Sequence, residues 1–327
     1  MNKKEIIVSG IQPTGNLHIG NYLGAVKKWV ELQNSGKYEM YIFIADLHAL
    51  TGKMTADELR TQINKTCAEL LAAGIDPKKT TFFVQSHIQE HAELAWIFNC
   101  VTPINELERM TQYKDKVAQF KNATAGLFTY PILQAADILL YHGDLVPVGQ
   151  DQIQHVELTR DTARWFNNKY EQYFPETKHL LTPTPKIMSL LEPNKKMSKS
   201  LGQDHVIELS DEPEIIENKI KKAVTATEGG GVAPGVANLL VLIKEFGDQK
   251  TYEKFIQMEK DKTIRYGDLK KELGEAVGKY FSNFRTERAK LLRDEKKLTK
   301  IMSVGTKKAK KVAEKTMIDI RKIIGLK

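Results

Sequence analysis

The sequence predicts an α/β fold, with helices on both faces of a parallel β-sheet, followed by an all-helical C-terminal region. Short apolar runs alternate with amphipathic helical patterns up to about residue 101, a mostly helical stretch interrupts this alternation, and no strand pattern returns after residue 199. Strands that alternate with helices of this length form parallel sheets, which bind ligands at the carboxyl ends of their strands.

Residues 5–9 are the first predicted strand, and the turn-rich segment 10–15 ends it. A helix follows, because apolar residues from Ile19 to Val30 recur at helical spacing. The remaining elements of this region are a strand at 38–45, a helix that opens with the capping box Thr55–Glu58, and a strand at 80–84.

Helical patterns at 106–119 and 127–141 precede a short strand at 144–148. We therefore expect a helical insertion at about 102–143 within an α/β domain that spans residues 1–205. The rest of the chain, residues 206–327, is predicted to be a helical domain with a glycine-rich break at 228–235.

Composition favours a globular protein of the cytoplasm. The N-terminus lacks the features of a secretory signal, and no apolar run approaches the roughly 18 residues that span a bilayer. Cys67 and Cys100 both lie in apolar helical patterns, so we interpret them as core thiols and expect neither a disulfide framework nor a Cys-based zinc site.

Positive charge is concentrated at the C-terminal end of the chain. Residues 281–327 contain 15 Lys or Arg against 5 Asp or Glu, a net charge of +10 in a chain whose total is +8. Such a segment is either a solvated helix surface or a site for a polyanion such as RNA, which lysine and arginine bind with release of counterions.

The segment Pro13-Thr14-Gly15-Asn16-Leu17-His18-Ile19-Gly20-Asn21 lies where the first strand gives way to the first helix. Backbone amides at a helix N-terminus suit the phosphates of a nucleotide. His18 adds a donor for phosphate oxygens, and Gly20 leaves room for adenine or ribose against the backbone. A histidine in a first helical turn is also a common cap, so this segment alone allows either role.

A second polar segment, Lys195-Lys196-Met197-Ser198-Lys199-Ser200-Leu201-Gly202, clusters three ammonium groups. A lone lysine cluster is usually a solvated surface. In this order along the chain, however, residues 15–21 resemble the HIGH motif and residues 195–202 the KMSKS loop of the class I aminoacyl-tRNA synthetases. The resemblance implies that the first domain is a Rossmann-type catalytic domain and that the helical domain binds the tRNA anticodon.

The resemblance covers nearly the whole chain and is to the bacterial-type subgroup of tryptophanyl and tyrosyl enzymes. It implies activation of L-tryptophan with ATP as the adenylate, followed by transfer to the 3′ end of tRNA(Trp). The blocks that are similar to tryptophanyl enzymes in particular are Ser9–Thr14, Glu106–Gln112, Ala135–Tyr141, Val146–Gln152, Glu157–Asp161 and Ile187–Leu190.

Asp137 lies in a strongly apolar helical stretch, where a carboxylate needs a hydrogen-bond donor. The resemblance implies that Asp137 accepts the indole N–H of tryptophan. The alternative is pairing with a Tyr or Arg of the protein. Tyr130, Gln134 and Asp137 also match the spacing by which tyrosyl enzymes hold tyrosine, whereas Val8 lacks the tyrosine hydroxyl that those enzymes usually carry there.

The remaining site residues are also assigned by the resemblance. Tyr130 and Gln152 are expected to bind the amino group of tryptophan, and Val8 to line its ring. The residues expected to act on the phosphates are His18, Lys196, Ser198 and Lys199. The residues expected to bind the nucleotide are Gln12, Pro13, Thr14, Gly20, Asn21, Gly149, Gln150, Asp151, Ile187, Met188, Met197 and Ser200. Of these, backbone groups near Ile187 and Met188 are expected to read adenine. The KMSKS residues Lys196, Ser198 and Lys199 are expected to close on the pyrophosphate.

Several other residues remain open. Lys116 is a further candidate for the pyrophosphate, and Asp46 and His48 either line the crevice or belong to the core. Gln134 and Lys186 stand where some tryptophanyl enzymes have Met and Arg, so their roles are unassigned.

The resemblance further implies Mg²⁺ with the ATP and a homodimer. Three alternative functions are a tyrosine–tRNA ligase, a synthetase-like regulatory protein that binds RNA without charging it, and a nucleotidyltransferase that acts on a small metabolite.

Overall fold

The computed structural model describes residues 3–110, 124–181, 185–225 and 233–326. Within these residues, all strands belong to one parallel sheet with the order β3-β2-β1-β4-β5. Strands β2 and β3 lie on one side of β1, and strands β4 and β5 lie on the other side. The direction in which the chain adds strands therefore reverses between β1 and β4. The strands are β1 (Ile6–Ile11), β2 (Glu39–Ile44), β3 (Thr80–Val84), β4 (Leu145–Val148) and β5 (Lys178–Leu181).

Helices separate the strands and then make up the rest of the chain. A π-helical segment, Tyr22–Val26, joins the first two helices. The α-helices are α1 (Ile19–Asn21), α2 (Lys27–Ser35), α3 (Asp46–Ala49), α4 (Ala56–Ala72), α5 (Glu90–Asn99), α6 (Ile104–Glu108), α7 (Ala125–Leu139), α8 (Ile153–Lys169), α9 (Pro213–Lys222), α10 (Pro234–Phe246), α11 (Gln249–Lys260), α12 (Tyr266–Tyr280), α13 (Ser282–Arg293) and α14 (Glu295–Ile323).

The parallel sheet confirms the predicted α/β class. Helix α4 begins at the predicted capping box, in which Thr55 accepts a hydrogen bond from the Glu58 amide and the Glu58 carboxylate accepts one from the Thr55 amide. Strand β5 was not predicted, because it is an edge strand whose residues are mostly exposed and therefore lack an apolar run.

The chain forms two compact units. Unit 1 comprises Met1–Gly15, Lys28–Pro183 and Asp294–Lys327, and it contains the sheet; unit 2 comprises Asn16–Lys27 and Thr184–Arg293. This division differs from the predicted boundary between residues 205 and 206. Helix α14 belongs to the unit that contains the sheet, and the first helical segment of the chain belongs to the other unit.

Helix α14 belongs to unit 1 because its apolar face forms part of the core there. Ala309, Ala313 and Ile320 are fully buried in the same cluster as the sheet residues. Gly305 approaches the backbone of β3 so closely that a side-chain Cβ would overlap the carbonyl oxygen of Phe82. An apolar stripe of this kind has to be covered, so packing overrides the predicted grouping by sequence position.

Two further predictions can be compared with the structure. Cys67 is buried as expected, but Cys100 is exposed, because it lies just beyond the end of α5. Helix α6 covers the start of the helix predicted at 106–119, and the rest of that prediction, with Lys116, lies outside the described residues. Among the helices that the structure describes, none is both long and apolar enough to cross a membrane.

Candidate active site

His18 caps helix α1 with its own side chain. Its Nδ1 atom accepts hydrogen bonds from the amides of Gly20 (3.1 Å) and Asn21 (3.3 Å), and the Asn21 side chain accepts one from the His18 amide (3.2 Å). Since Nδ1 accepts, the proton of the neutral ring resides on Nε2. The cap and the predicted phosphate donor therefore use different nitrogens of the same ring.

The electrostatic surroundings of His18 keep its ring neutral. Burial, and after it the charges of Lys199 and Lys196, lowers the pKa of His18 from 6.5 to about 4. At neutral pH the ring thus offers an Nε2–H donor without a positive charge of its own. The positive charge near the ring comes from Lys196 and Lys199, and their predicted contact with phosphates stays a prediction.

Gly20 is required by the conformation of His18. A Cβ at this position would lie 2.8 Å from Cε1 and 2.9 Å from Nδ1 of the His18 ring, closer than Cβ atoms approach other atoms. The missing side chain therefore makes room for the cap. The predicted contact of Gly20 with the nucleotide stays a prediction.

The backbone of the HIGH segment is held by a later part of unit 2. Residues 207–209 pair with residues 17–19 through hydrogen bonds from the Ile19 amide to the Ile207 carbonyl (2.9 Å) and from the Leu209 amide to the Leu17 carbonyl (2.8 Å). The Asn16 side chain donates to Glu208 (2.7 Å). These bonds explain why the segment that begins at Asn16 belongs to unit 2.

The KMSKS segment forms one side of a short antiparallel pair. The Met197 amide donates to the Ile187 carbonyl (3.0 Å), and the Ser189 amide donates to the Lys195 carbonyl (2.8 Å). Residues 187–189, which include the predicted adenine-binding residues, therefore pair with residues 195–197, which include the pyrophosphate candidate Lys196. Met197 is buried.

The turn that follows brings the two motifs into contact. Ser198 caps a 3₁₀ turn, Lys199–Leu201, and its hydroxyl lies 2.8 Å from that of Ser200. The ammonium group of Lys199 donates to the Asn16 carbonyl oxygen. The structure thus brings together the HIGH and KMSKS segments, which are about 180 residues apart in the sequence.

Asn238 was missed by the sequence analysis. Its side chain accepts from the Met188 amide (2.9 Å) and donates to the Met188 carbonyl (2.9 Å). The Met188 amide is therefore engaged within the protein, whereas the Met188 carbonyl oxygen, which has two lone pairs, can accept a second hydrogen bond. The sequence signal that could have identified Asn238 is a single polar residue within the apolar pattern of α10.

The other predicted nucleotide-binding residues lie in unit 1, after two neighbouring strands. Exposed Gln12 and Thr14 follow β1, and Gly149 and exposed Gln150 follow β4. The turns are closed by bonds from the Thr14 amide to Gln12 and from the Gln152 amide to Gly149. Both segments thus lie at the carboxyl ends of the strands where the strand order reverses, which is where open parallel sheets bind ligands. The side chain of Asp151 is outside the described part of the chain.

Asp137 is almost completely buried and accepts three hydrogen bonds from the protein. Its Oδ1 atom accepts from Gln85 Nε2 (2.7 Å) and from His91 Nδ1 (2.6 Å), and its Oδ2 atom accepts from His48 Nε2 (2.7 Å). Burial raises the pKa of Asp137, but the bonds from His48 and His91 outweigh it, so the pKa lies below its usual value. Asp137 is therefore an ionised acceptor.

The hydrogen-bond partners of Asp137 differ from the protein partners that the sequence suggested. Asp137 is paired with two histidines and a glutamine, and not with a Tyr or an Arg. Because these donors already stabilise the buried carboxylate, its burial alone does not imply a bound ligand. His48, for which the sequence allows either a crevice-lining or a core role, bonds Asp137 directly. Asp46 instead accepts hydrogen bonds from the Ser86 amide (2.9 Å) and hydroxyl.

Of the other predicted tryptophan-binding residues of unit 1, Tyr130 and Val8 are buried and Gln152 is half-buried. The Tyr130 hydroxyl lies 3.0 Å from Nε2 of His155, and the Tyr130 ring makes an edge contact with His48 at 6.4 Å between centroids. Burial raises the pKa of Tyr130 to about 12, so the hydroxyl stays protonated. Val8 is fully buried in β1. Tyr130 and Asp137 are thus linked through His48.

Comparison with known proteins decides the family. The model described as "tRNA synthetases class I (W and Y)" matches residues 1–282. The chain belongs to this family. It is 43% identical to a tryptophan–tRNA ligase of Clostridium tetani, with 99% of this chain and 96% of that protein covered.

Other relatives of this family agree over nearly the full length. A tryptophan–tRNA ligase 2 of Streptomyces avermitilis is 44% identical, with 95% of this chain and 94% of that protein covered. The tryptophanyl-tRNA synthetase of Campylobacter jejuni, solved with ADP and tryptophan, has a TM-score of 0.86 and 36% identity, and the match covers 98% of this chain and 99% of that one.

Proposed function

We propose that the chain is a tryptophan–tRNA ligase, which activates L-tryptophan with ATP and transfers it to the 3′ end of tRNA(Trp). The observation that carries the proposal is the meeting of the HIGH and KMSKS segments around a neutral His18, in a chain whose full-length relatives are tryptophan–tRNA ligases.

ATP enters as its magnesium complex, and the tryptophan carboxylate attacks the α-phosphate while pyrophosphate leaves. The chain supplies no nucleophile; it orients the reactants and stabilises the developing charge. His18 Nε2 donates to a phosphate oxygen, and Lys196 and Lys199 neutralise the departing pyrophosphate. Mg²⁺ is commonly bound through substrate phosphates, so we propose that it enters the site with ATP.

The nucleotide contacts of this proposal follow the assignments made from the sequence. Gln12, Thr14 and Asn21 bind phosphates and ribose, Pro13 contacts the nucleotide beside them, and Gly149, Gln150 and Asp151 bind the ribose. Release of the products requires Lys199 to leave the pyrophosphate, and the Asn16 carbonyl offers the ammonium group an alternative partner.

Tryptophan is proposed to be recognised by unit 1. Indole has one N–H donor and no acceptor, which matches the ionised Asp137. Tyr130 and Gln152 bind the amino group, and Val8 lines the ring. Val8 carries no hydroxyl for a tyrosine side chain, which favours indole as the ligand.

The tRNA is proposed to contact the C-terminal helix. Four exposed lysines on α14 are called the lysine face: Lys307, Lys308, Lys310 and Lys311. Their charge suits the phosphate backbone of RNA. The family resemblance adds a homodimer, contacts of the helices in unit 2 with the anticodon, and a location in the cytoplasm, where tRNA is charged.

The deciding experiment is ATP–pyrophosphate exchange with each of the twenty amino acids. Exchange that depends on tryptophan is the expected result. Exchange that depends on tyrosine would replace the amino acid of the proposal, and no exchange with any amino acid would favour a regulatory RNA-binding protein.

A further inference from the structure

The three donors around Asp137 are not shared equally between its two oxygens. A carboxylate has about four lone-pair sites, two on each oxygen. Gln85 and His91 fill those of Oδ1, whereas Oδ2 accepts from His48. With the donors that residues 3–110, 124–181, 185–225 and 233–326 provide, the remaining acceptor site of the carboxylate is therefore on Oδ2.

Each donor to Oδ1 is itself fixed by a second hydrogen bond. The Nε2 atom of His91 lies 2.8 Å from the Tyr141 hydroxyl, so both nitrogens of the buried ring are engaged. The Oε1 atom of Gln85 accepts from the Leu47 amide (3.1 Å), which prevents the amide from exchanging its oxygen and nitrogen. Two fixed donors on one oxygen determine the rotation of the carboxylate about its Cβ–Cγ bond.

We propose that His91 and Gln85 are positioning residues for amino-acid recognition, which turn the Asp137 carboxylate so that Oδ2 alone is presented to the indole N–H. This inference rests on the proposed function, in which Asp137 binds tryptophan. His91 and Gln85 do not touch the substrate; they act through the orientation of Asp137.

If His91 and Gln85 served only to stabilise the fold, the position of their hydrogen bonds on Asp137 would matter less. To stabilise a buried carboxylate, any donors on either oxygen suffice. To present Oδ2, the donors have to stay on Oδ1. The two roles are separated by measuring how strongly the enzyme prefers a substrate that carries the N–H.

The measurement uses two substrates in pyrophosphate exchange: tryptophan, and 3-(benzothiophen-3-yl)alanine, in which sulfur replaces the indole N–H. The ratio of their kcat/KM values, here called the N–H preference, reports the bond to Asp137. Hydrogen bonds to charged groups contribute about 1.5–3 kcal/mol, so the wild-type preference should be about tenfold or more.

Two variants at His91 provide a matched comparison. In His91→Asn the side-chain nitrogen can occupy the place of Nδ1 and still donate to Asp137. In His91→Gln it can occupy the place of Nε2, which faces Tyr141. The N–H preference should stay within about twofold of wild type in His91→Asn and fall about fivefold or more in His91→Gln. Equal preferences in the two variants would overturn the role of His91.

Gln85→Met tests the second donor and also serves if the His91 variants do not fold. It keeps the length of the side chain and removes the bond to Oδ1, so the N–H preference should again fall. A preference equal to that of wild type would overturn the proposal for Gln85. The control is Tyr41→Phe: its ring stacks on Tyr141 at 4.7 Å between centroids, but its hydroxyl donates to Glu39, so the preference should not change.

The outcome for wild type separates this inference from the proposed function. A wild-type N–H preference near one would show that Asp137 does not accept the indole N–H. The positioning role would then fail together with the assignment of Asp137, whereas the ligase proposal is tested separately by whether exchange depends on tryptophan. A high wild-type preference that survives in His91→Gln and Gln85→Met would overturn the positioning role and leave the ligand assignment intact.

Discussion

Replacing Asp137 by asparagine should change the atom that we propose to face the indole N–H from an acceptor to a donor. The amide oxygen of the introduced side chain is expected to take the place of Oδ1, because the donors of Gln85 and His91 both point there. The amide NH₂ then takes the place of Oδ2. The indole N–H would meet a donor where wild type offers an ionised oxygen.

The size of the effect follows from the bond that is lost. A hydrogen bond to a charged group contributes about 1.5–3 kcal/mol, and about 1.4 kcal/mol corresponds to a factor of ten. Asp137→Asn should therefore lower kcat/KM for tryptophan by about 10- to 100-fold. The KM for ATP should hardly change, because none of the groups that bond Asp137 belongs to the HIGH or KMSKS segments.

Tryptophan-dependent pyrophosphate exchange measures both constants. Thermal unfolding of the variant serves as the control, since the asparagine side chain can still bond Gln85 and His91 and the fold should persist. An unchanged kcat/KM for tryptophan in a folded variant would refute the assignment of Asp137 to the indole.

Three further predictions concern the phosphate site and the RNA. Alanine at Lys196 or at Lys199 should lower the kcat of adenylate formation far more than it raises the KM for ATP; a raised KM with unchanged kcat would instead show a ground-state clamp. Reversing the lysine face to glutamate should abolish tRNA charging and spare pyrophosphate exchange, and normal charging would show that RNA binds elsewhere. The third concerns the low pKa of His18, about 4 against 6.5 unfolded, which leaves the native ring neutral while the unfolded one gains a proton. As the pH falls from 6.5 to 4, wild type should therefore lose about 3 kcal/mol more unfolding free energy than His18→Asn, as measured by urea titration; parallel losses would contradict this pKa.

The sequence predicts those parts of the protein that are determined by residues close together in the chain. Alternating apolar periodicities predict four of the strands, and short motifs predict the HIGH and KMSKS segments. Strand β5 has no such signal, because an exposed edge strand needs no apolar run. The bond from Lys199 to Asn16 is also not local, yet the family resemblance pairs the two motifs and so anticipates their contact.

The surroundings of Asp137 could not be predicted in the same way. Its three donors lie 46, 52 and 89 residues away in the sequence. His48 and Gln85 follow neighbouring parallel strands, so their approach to one edge of the sheet could be expected, but His91 comes from the first turn of helix α5. His91 is a polar residue on an otherwise apolar helix face, and this pattern does not indicate which residue it bonds.

The position of α14 determines which experiment can locate the RNA site. Truncation from Phe281 would remove a helix whose residues Ala309, Ala313 and Met317 belong to the core of unit 1. It would also break the bonds from Thr316 to the Leu140 carbonyl and from Arg321 to Glu93. The loss of charging in such a protein would then follow from the loss of its core. The lysine face points away from these contacts, since all four of its residues are exposed. Reversing its charge therefore changes the interaction with RNA while the buried face of the same helix is preserved.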